Sequence, residues 1–134
     1  MEKRLRDAFI AIGGKPLRSA PVYCTLGPNK GLQTWYNSPD CIQIPIEKFD
    51  PDTVSFTYGD LFPVFNPALN TGEEWWGKVY RYADIVRLIE QYGLPEDPEY
   101  NMKQRLFPEG KSIGQYLKYI EAHVWSDEVL EGYR

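Results

Sequence analysis

The sequence predicts an α+β fold: a mainly antiparallel sheet of five or six strands with two or three helices packed on one face. Three observations lead there. Short β-branched and aromatic runs alternate with dense turn signals in the first 60 residues, two segments carry apolar stripes at helical spacing, and 134 residues suit one hydrophobic core. No composition shift marks a boundary, so residues 1–134 read as a single domain without repeats or low-complexity tracts.

From Glu2 to about Ile12, Leu5, Ala8, Phe9 and Ile12 stand at i, i+3, i+4 and i+7, which predicts an amphipathic helix ended by Gly13-Gly14. Val22–Leu26 reads as a strand. The turn sequence Gly27-Pro28-Asn29-Lys30-Gly31 then leads into a second strand at Leu32–Tyr36, a hairpin. In Cys41–Ile46 the residues Ile42, Ile44 and Ile46 alternate with Cys41, Gln43 and Pro45, which predicts a strand with one core face whose Pro45 end, unable to donate to a ladder, is an edge or a bulge. Val54–Asp60 is expected to be the central element, with Val54, Phe56 and Tyr58 on one face and Ser55 and Thr57 on the other.

Residues 59–74 are rich in Gly, Pro and Asn and read as a long loop, before Lys78–Arg81 resumes a strand. Ile85, Leu88, Ile89 and Tyr92 make a complete helical stripe from about Ala83, stopped by Gly93 and Pro95. Residues 95–111 lack periodicity and form a second long loop. A turn or short helix is expected near 112–117, a strand near 118–125, and a short helical or frayed tail from Asp127.

The formal net charge is −4, which disfavours a general affinity for nucleic-acid backbones. Its distribution is uneven: residues 1–18 hold five basic side chains against Glu2 and Asp7, leaving the rest of the chain at −7. The apolar run Ala8–Ile12 is too short for a secretory signal core, and no stretch approaches a membrane span. Cys24 and Cys41 match neither a disulfide framework nor a zinc set, so they read as free thiols in a reducing cytoplasm.

Aromatic residues, 15% of the chain with ten Tyr and four Trp, are the unusual resource. There is no phosphate-cradling glycine loop, no nucleophile elbow and no His-rich motif, so neither a metal nor a cofactor is expected. ADP-ribosyltransferases are set aside on specifics: Glu121 is followed by Ala122 and His123 rather than by a paired acid, and Arg18 lies outside the first strand.

Three constellations remain. His123 shares a strand face with Glu121 and could meet Asp60, although a lone strand histidine is more commonly a solvated surface residue. Trp75-Trp76, behind Glu73-Glu74, could wall a cleft, only one of the two facing it. Ser55, Thr57 and Asp60, with Tyr36 or Tyr80 nearby, offer convergent polar groups in an aromatic surround.

Together they predict a binding protein whose cleft lies between Tyr58-Gly59-Asp60, Trp75-Trp76 and the strand of Glu121 and His123. Its occupant would be a small nucleotide- or sugar-like ligand or a protein partner. One alternative is a small enzyme acting on a nucleotide-like or glycosidic substrate, with Asp60 or Glu121 as acid or base and His123 assisting. Another is an inhibitory interaction protein of a mobile genetic element, using the acidic body and an aromatic patch.

Overall fold

The computed structural model describes residues 1–27, 42–59, 61–67, 72, 74–93 and 119–133. Its elements run α1 (Glu2–Ala11), β1 (Val22–Leu26), β2 (Val54–Thr57), the single turn α2 (Leu61–Val64), α3 (Tyr82–Tyr92) and β3 (Ile120–Val124). Short 3-10 turns occupy Ile46–Lys48, Pro51–Thr53 and Leu130–Tyr133.

Among the described residues the sheet has three strands, not five or six, in the order β1-β3-β2 with both pairings antiparallel, and α1 and α3 are its two helices of more than one turn. The isoleucine alternation at 42–46 makes no strand: Ile42 is 65% exposed, and Pro45 leads into a 3-10 turn instead. The strand expected at Lys78–Arg81 shrinks to one bridge, Tyr80 exchanging both backbone bonds with Phe56 at 2.8 and 2.9 Å. Gly77 turns the chain just before that bridge and Arg81 caps α3 just after it, so no room remains to extend the pairing. The expected strand at Leu32–Tyr36 and the turn or helix near 112–117 lie outside the described residues.

The central strand is β3 rather than β2. All five of its residues are buried, and it pairs on both sides, Val124 facing both Val22 and Val54. The registers sort the two faces as strand alternation requires. Val22, Val54, Phe56, Ala122 and Val124 share the apolar face, while Tyr23, Thr25, Ser55, Thr57, Glu121 and His123 share the other.

The helices do not share a face. Phe9 of α1 stacks on Trp125, whose indole lies with Ser55 beyond the end of β3, with ring centroids 6.4 Å apart. Tyr82, opening α3, packs on Phe56 at 5.9 Å from the apolar side. Alternation of large side chains to both faces of β2 and β3 leaves two surfaces to cover, and one layer of helices covers only one.

Segment 14–18 ties α1 to the sheet. Leu17 and Arg18 both donate backbone N–H to the Trp125 carbonyl at 2.9 Å, Trp125 donates to the Thr53 carbonyl at 2.8 Å, and Lys15 donates to that of Asp52 at 2.7 Å. The Asp52 carboxylate also receives Arg81, joining this segment to the start of α3. That hydrogen bond from Arg81 holds the Asp52 carboxyl below its ordinary range against the opposing effect of desolvation, with the charges of Arg81 and Lys15 adding to it.

A carboxyl depressed in the folded state stabilises above its unfolded value and loses that contribution as pH falls through the folded one. Stability is therefore expected to decline below roughly pH 4, where unfolded Asp begins to protonate. Asp52→Asn should lower the melting temperature at neutral pH and converge on the parent protein in acid. Thermal melts across pH check this; parallel curves would remove Asp52 from the acid limb.

No helix among the described residues is long and apolar enough to cross a membrane.

Candidate functional site

The registers set two polar rows across the second face of the sheet. Tyr23 and Ser55 flank His123 in one, and Thr25 and Thr57 flank Glu121 in the other. Both flanking threonines turn away from the glutamate. Thr25 Oγ1 donates to the Gly27 carbonyl at 2.7 Å and Thr57 Oγ1 to the Gly59 carbonyl at 2.8 Å. Each bond closes a turn at a glycine with φ near +100°, 93° at Gly27 and 113° at Gly59, a conformation that favours glycine.

Between the rows runs a hydrogen-bonded relay. Trp125 Nε1–H donates to Ser55 Oγ at 2.9 Å, Ser55 Oγ lies 3.0 Å from His123 Nδ1, and His123 Nε2 lies 2.9 Å from Glu121 Oε1. Donor count assigns its direction. Indole only donates, so Ser55 accepts there and directs its own proton to Nδ1; Nε2 then carries the imidazole proton and donates to the carboxylate. Every member is satisfied with a neutral imidazole, and the chain ends on the Glu121 carboxyl group.

Ser55, His123 and Trp125 are fully buried, and Glu121 retains 6% of its surface. A serine inside a packed core, with its proton committed to Nδ1, cannot reach an outside substrate as a nucleophile. The group open to solvent is the end of the relay. Among the described residues only His123 hydrogen-bonds Glu121, leaving its second oxygen free to accept.

Tyr23 borders the same place. Its ring meets His123 edge-on at 5.8 Å, and the hydroxyl of this exposed residue donates to Glu2 Oε1 at 3.1 Å. Burial, the bond to Glu2 and then the charges of Glu2 and Glu121 push that hydroxyl up to about 12.

The other sequence-derived candidates lie elsewhere. Tyr58 is fully buried, donates to the Gly93 carbonyl at 2.6 Å, and packs on Trp75 and Tyr92 with centroids 5.9 and 6.0 Å away. Trp75 is 3% exposed, and its Nε1–H has no hydrogen-bond acceptor among the described residues. Trp76 is half-buried and donates to the Asn66 carbonyl at 3.1 Å. Tyr80 is buried, its hydroxyl pushed up to about 12 chiefly by that burial. Asp60, Glu73 and Tyr36 lie outside the described residues.

Ser55, Glu121 and His123 are thus brought together with Thr57 beside them, whereas Tyr58 and Trp75 form a separate aromatic cluster. His123 is a core residue rather than a surface one. Sequence reasoning passed over Trp125, although it stands two residues beyond His123 on the same alternation, and over Tyr23 and Thr25, which only the register reveals.

Among the described residues no group of three or more His, Cys, Asp or Glu side chains could hold a metal ion. A hollow of about 360 Å³ lined by Ile46, Phe49, Val54, Phe56 and Tyr82 opens on the apolar face, opposite Glu121. Comparison with protein-family models, curated proteins and solved structures found no match.

Proposed function

We propose that this chain is a cytosolic binding domain that holds a small polar ligand, of nucleotide or sugar kind, against the polar face of its sheet. Glu121 accepts the ligand's hydrogen bonds, and Tyr23 supplies an aromatic border. The observation that carries this reading is the free oxygen of Glu121, a carboxylate nine-tenths buried and fixed in orientation by three buried residues. Holding a charged acceptor in place beforehand lowers the ordering cost of binding. The exposed free thiol of Cys24 fits a reducing compartment.

Glu121→Gln keeps the shape and an acceptor for His123 while removing the charge. In calorimetric titration against nucleosides, nucleotides, monosaccharides and amino sugars, at least one compound should saturate the parent protein and bind about tenfold more weakly to the variant, about 1.4 kcal/mol. Retained affinity in the variant, or no binder in the panel, would overturn the reading. Tyr23→Ala, which removes the aromatic border, should weaken the same compound in that titration.

One observation favours an enzymatic reading second. Solvent reaches Glu121 but not Ser55 or His123, so the carboxylate could serve as acid or base on a nucleotide-like or glycosidic substrate with the other two positioning it. Chromatography of the same mixtures decides between them: turnover that Glu121→Gln abolishes selects the enzyme, and unchanged compounds select the binder.

A further inference from the structure

Three partly exposed carboxylates in this protein each have an arginine: Asp52 with Arg81, Asp127 with Arg18, and Glu74 with Arg87. Glu121 is more buried than any of them, and among the described residues it has no lysine or arginine within ion-pair distance. Its single partner is His123, which the donor count of the relay makes neutral. A protonated imidazole would donate from both nitrogens. Ser55 Oγ would then receive two donors and its own proton would have no acceptor among the described residues, in a site sealed from water.

A carboxylate taken out of water without a counter-charge is destabilised by desolvation, and a cation placed against it relieves that. Glu2 adds to the negative potential at this place. It accepts from the Tyr23 hydroxyl, and both carboxylates act on that hydroxyl in the same direction.

We infer that the ligand group meeting Glu121 is a cation, an ammonium or guanidinium, which completes the ion pair that the fold leaves half-built. This inference rests on the proposed binding role of Glu121 and narrows its ligand to one whose nucleotide- or sugar-like body carries an amino or guanidino group. A guanidinium would place two N–H donors on the carboxylate in a fixed plane, with the half-exposed ring of Tyr23 as a cation-binding surface beside it. A neutral hydroxyl or amide would leave the buried charge uncompensated.

The test uses the full chain and a pair of probes matched in shape, methylguanidinium chloride and N-methylurea, at equal concentration and ionic strength. Binding is read from the Trp125 indole N–H and the His123 ring resonances, at the two ends of the buried relay. Methylguanidinium should shift both saturably and bind at least about tenfold more tightly than N-methylurea, a preference that Glu121→Gln removes.

Equal binding of the two probes, or a preference surviving Glu121→Gln, would overturn the cation. So would ring nitrogen shifts that report an imidazolium at neutral pH. If N-methylurea binds equally well and Glu121→Gln weakens both probes, the site at Glu121 stands and only its charge preference falls. If neither probe shifts either resonance, the cation is overturned, and the nucleoside and sugar titrations separately decide the binding role.

Discussion

Replacing Ser55 by alanine is expected to cost about 2–6 kcal/mol of folding stability, far more than a single hydroxyl ordinarily contributes. The reason is what the hydroxyl holds. Ser55 Oγ accepts from Trp125 Nε1–H and donates to His123 Nδ1, and all three side chains are fully buried. Alanine would leave a donor and an acceptor unpaired where water does not reach, at about 1–3 kcal/mol for each.

Thr57→Val supplies the contrast. That hydroxyl is equally buried, on the same strand and the same face, but it makes one bond, to the Gly59 carbonyl. Its loss should cost about 1 kcal/mol, with side-chain volume retained. Urea denaturation of the two variants measures the difference, provided the m-values stay at the parent value. If Ser55→Ala unfolds no more easily than Thr57→Val, the relay is not the cooperative unit its geometry implies, and Glu121 loses its support.

The relay also separates what was legible in the sequence from what was not. Alternation along Val54–Thr57 correctly divided apolar from hydroxyl residues, and Glu121 and His123 stood visibly on one face of a C-terminal strand. The stripes of Leu5 and Phe9, and of Ile85 and Leu88, placed both helices to within a residue or two at each end. These are local periodicities, which the chain expresses through side-chain direction alone.

The neighbours of β3 were not legible. Its insertion between β1 and β2 brings Ser55 to His123 across 68 positions and to Trp125 across 70, and no local pattern encodes such a register. A lone histidine with no visible donor therefore read as a surface residue, although it is the middle of a buried chain. The Trp75-Trp76 pair read as a cleft wall because aromatics beside acids suit binding sites. Contact with Tyr58 instead places Trp75 in the core. At 42–46 the isoleucine alternation lost to Pro45, where the backbone enters a 3-10 turn.

Gly14→Ala is the other large effect expected, about 3 kcal/mol of destabilisation from one methyl group. In the sequence, Gly13 and Gly14 together look like a helix stop, but the structure gives them different tasks. Gly13 has φ of +95°, so its requirement is conformational. Gly14 is needed for space: a Cβ there would stand 2.5 to 2.6 Å from Cγ, Cδ1 and Cδ2 of Phe9. The backbone cannot readily move away, because Gly14 N–H donates to the Phe9 carbonyl at 2.9 Å and Lys15 is bonded to Asp52. Nor can the ring, which is fully buried and stacked on Trp125. Any rotation of Phe9 displaces the indole that donates to Ser55, so the strain should travel into the relay. Gly14→Ala should therefore lower the melting temperature and shift the Trp125 indole N–H resonance in the fraction that stays folded. Gly132→Ala, with no heavy atom within 4 Å of the added carbon, should do neither. A Gly14→Ala protein that melts like its parent would mean that α1 can slide over the sheet without disturbing Trp125, and the tie between the helix and the buried relay would be lost.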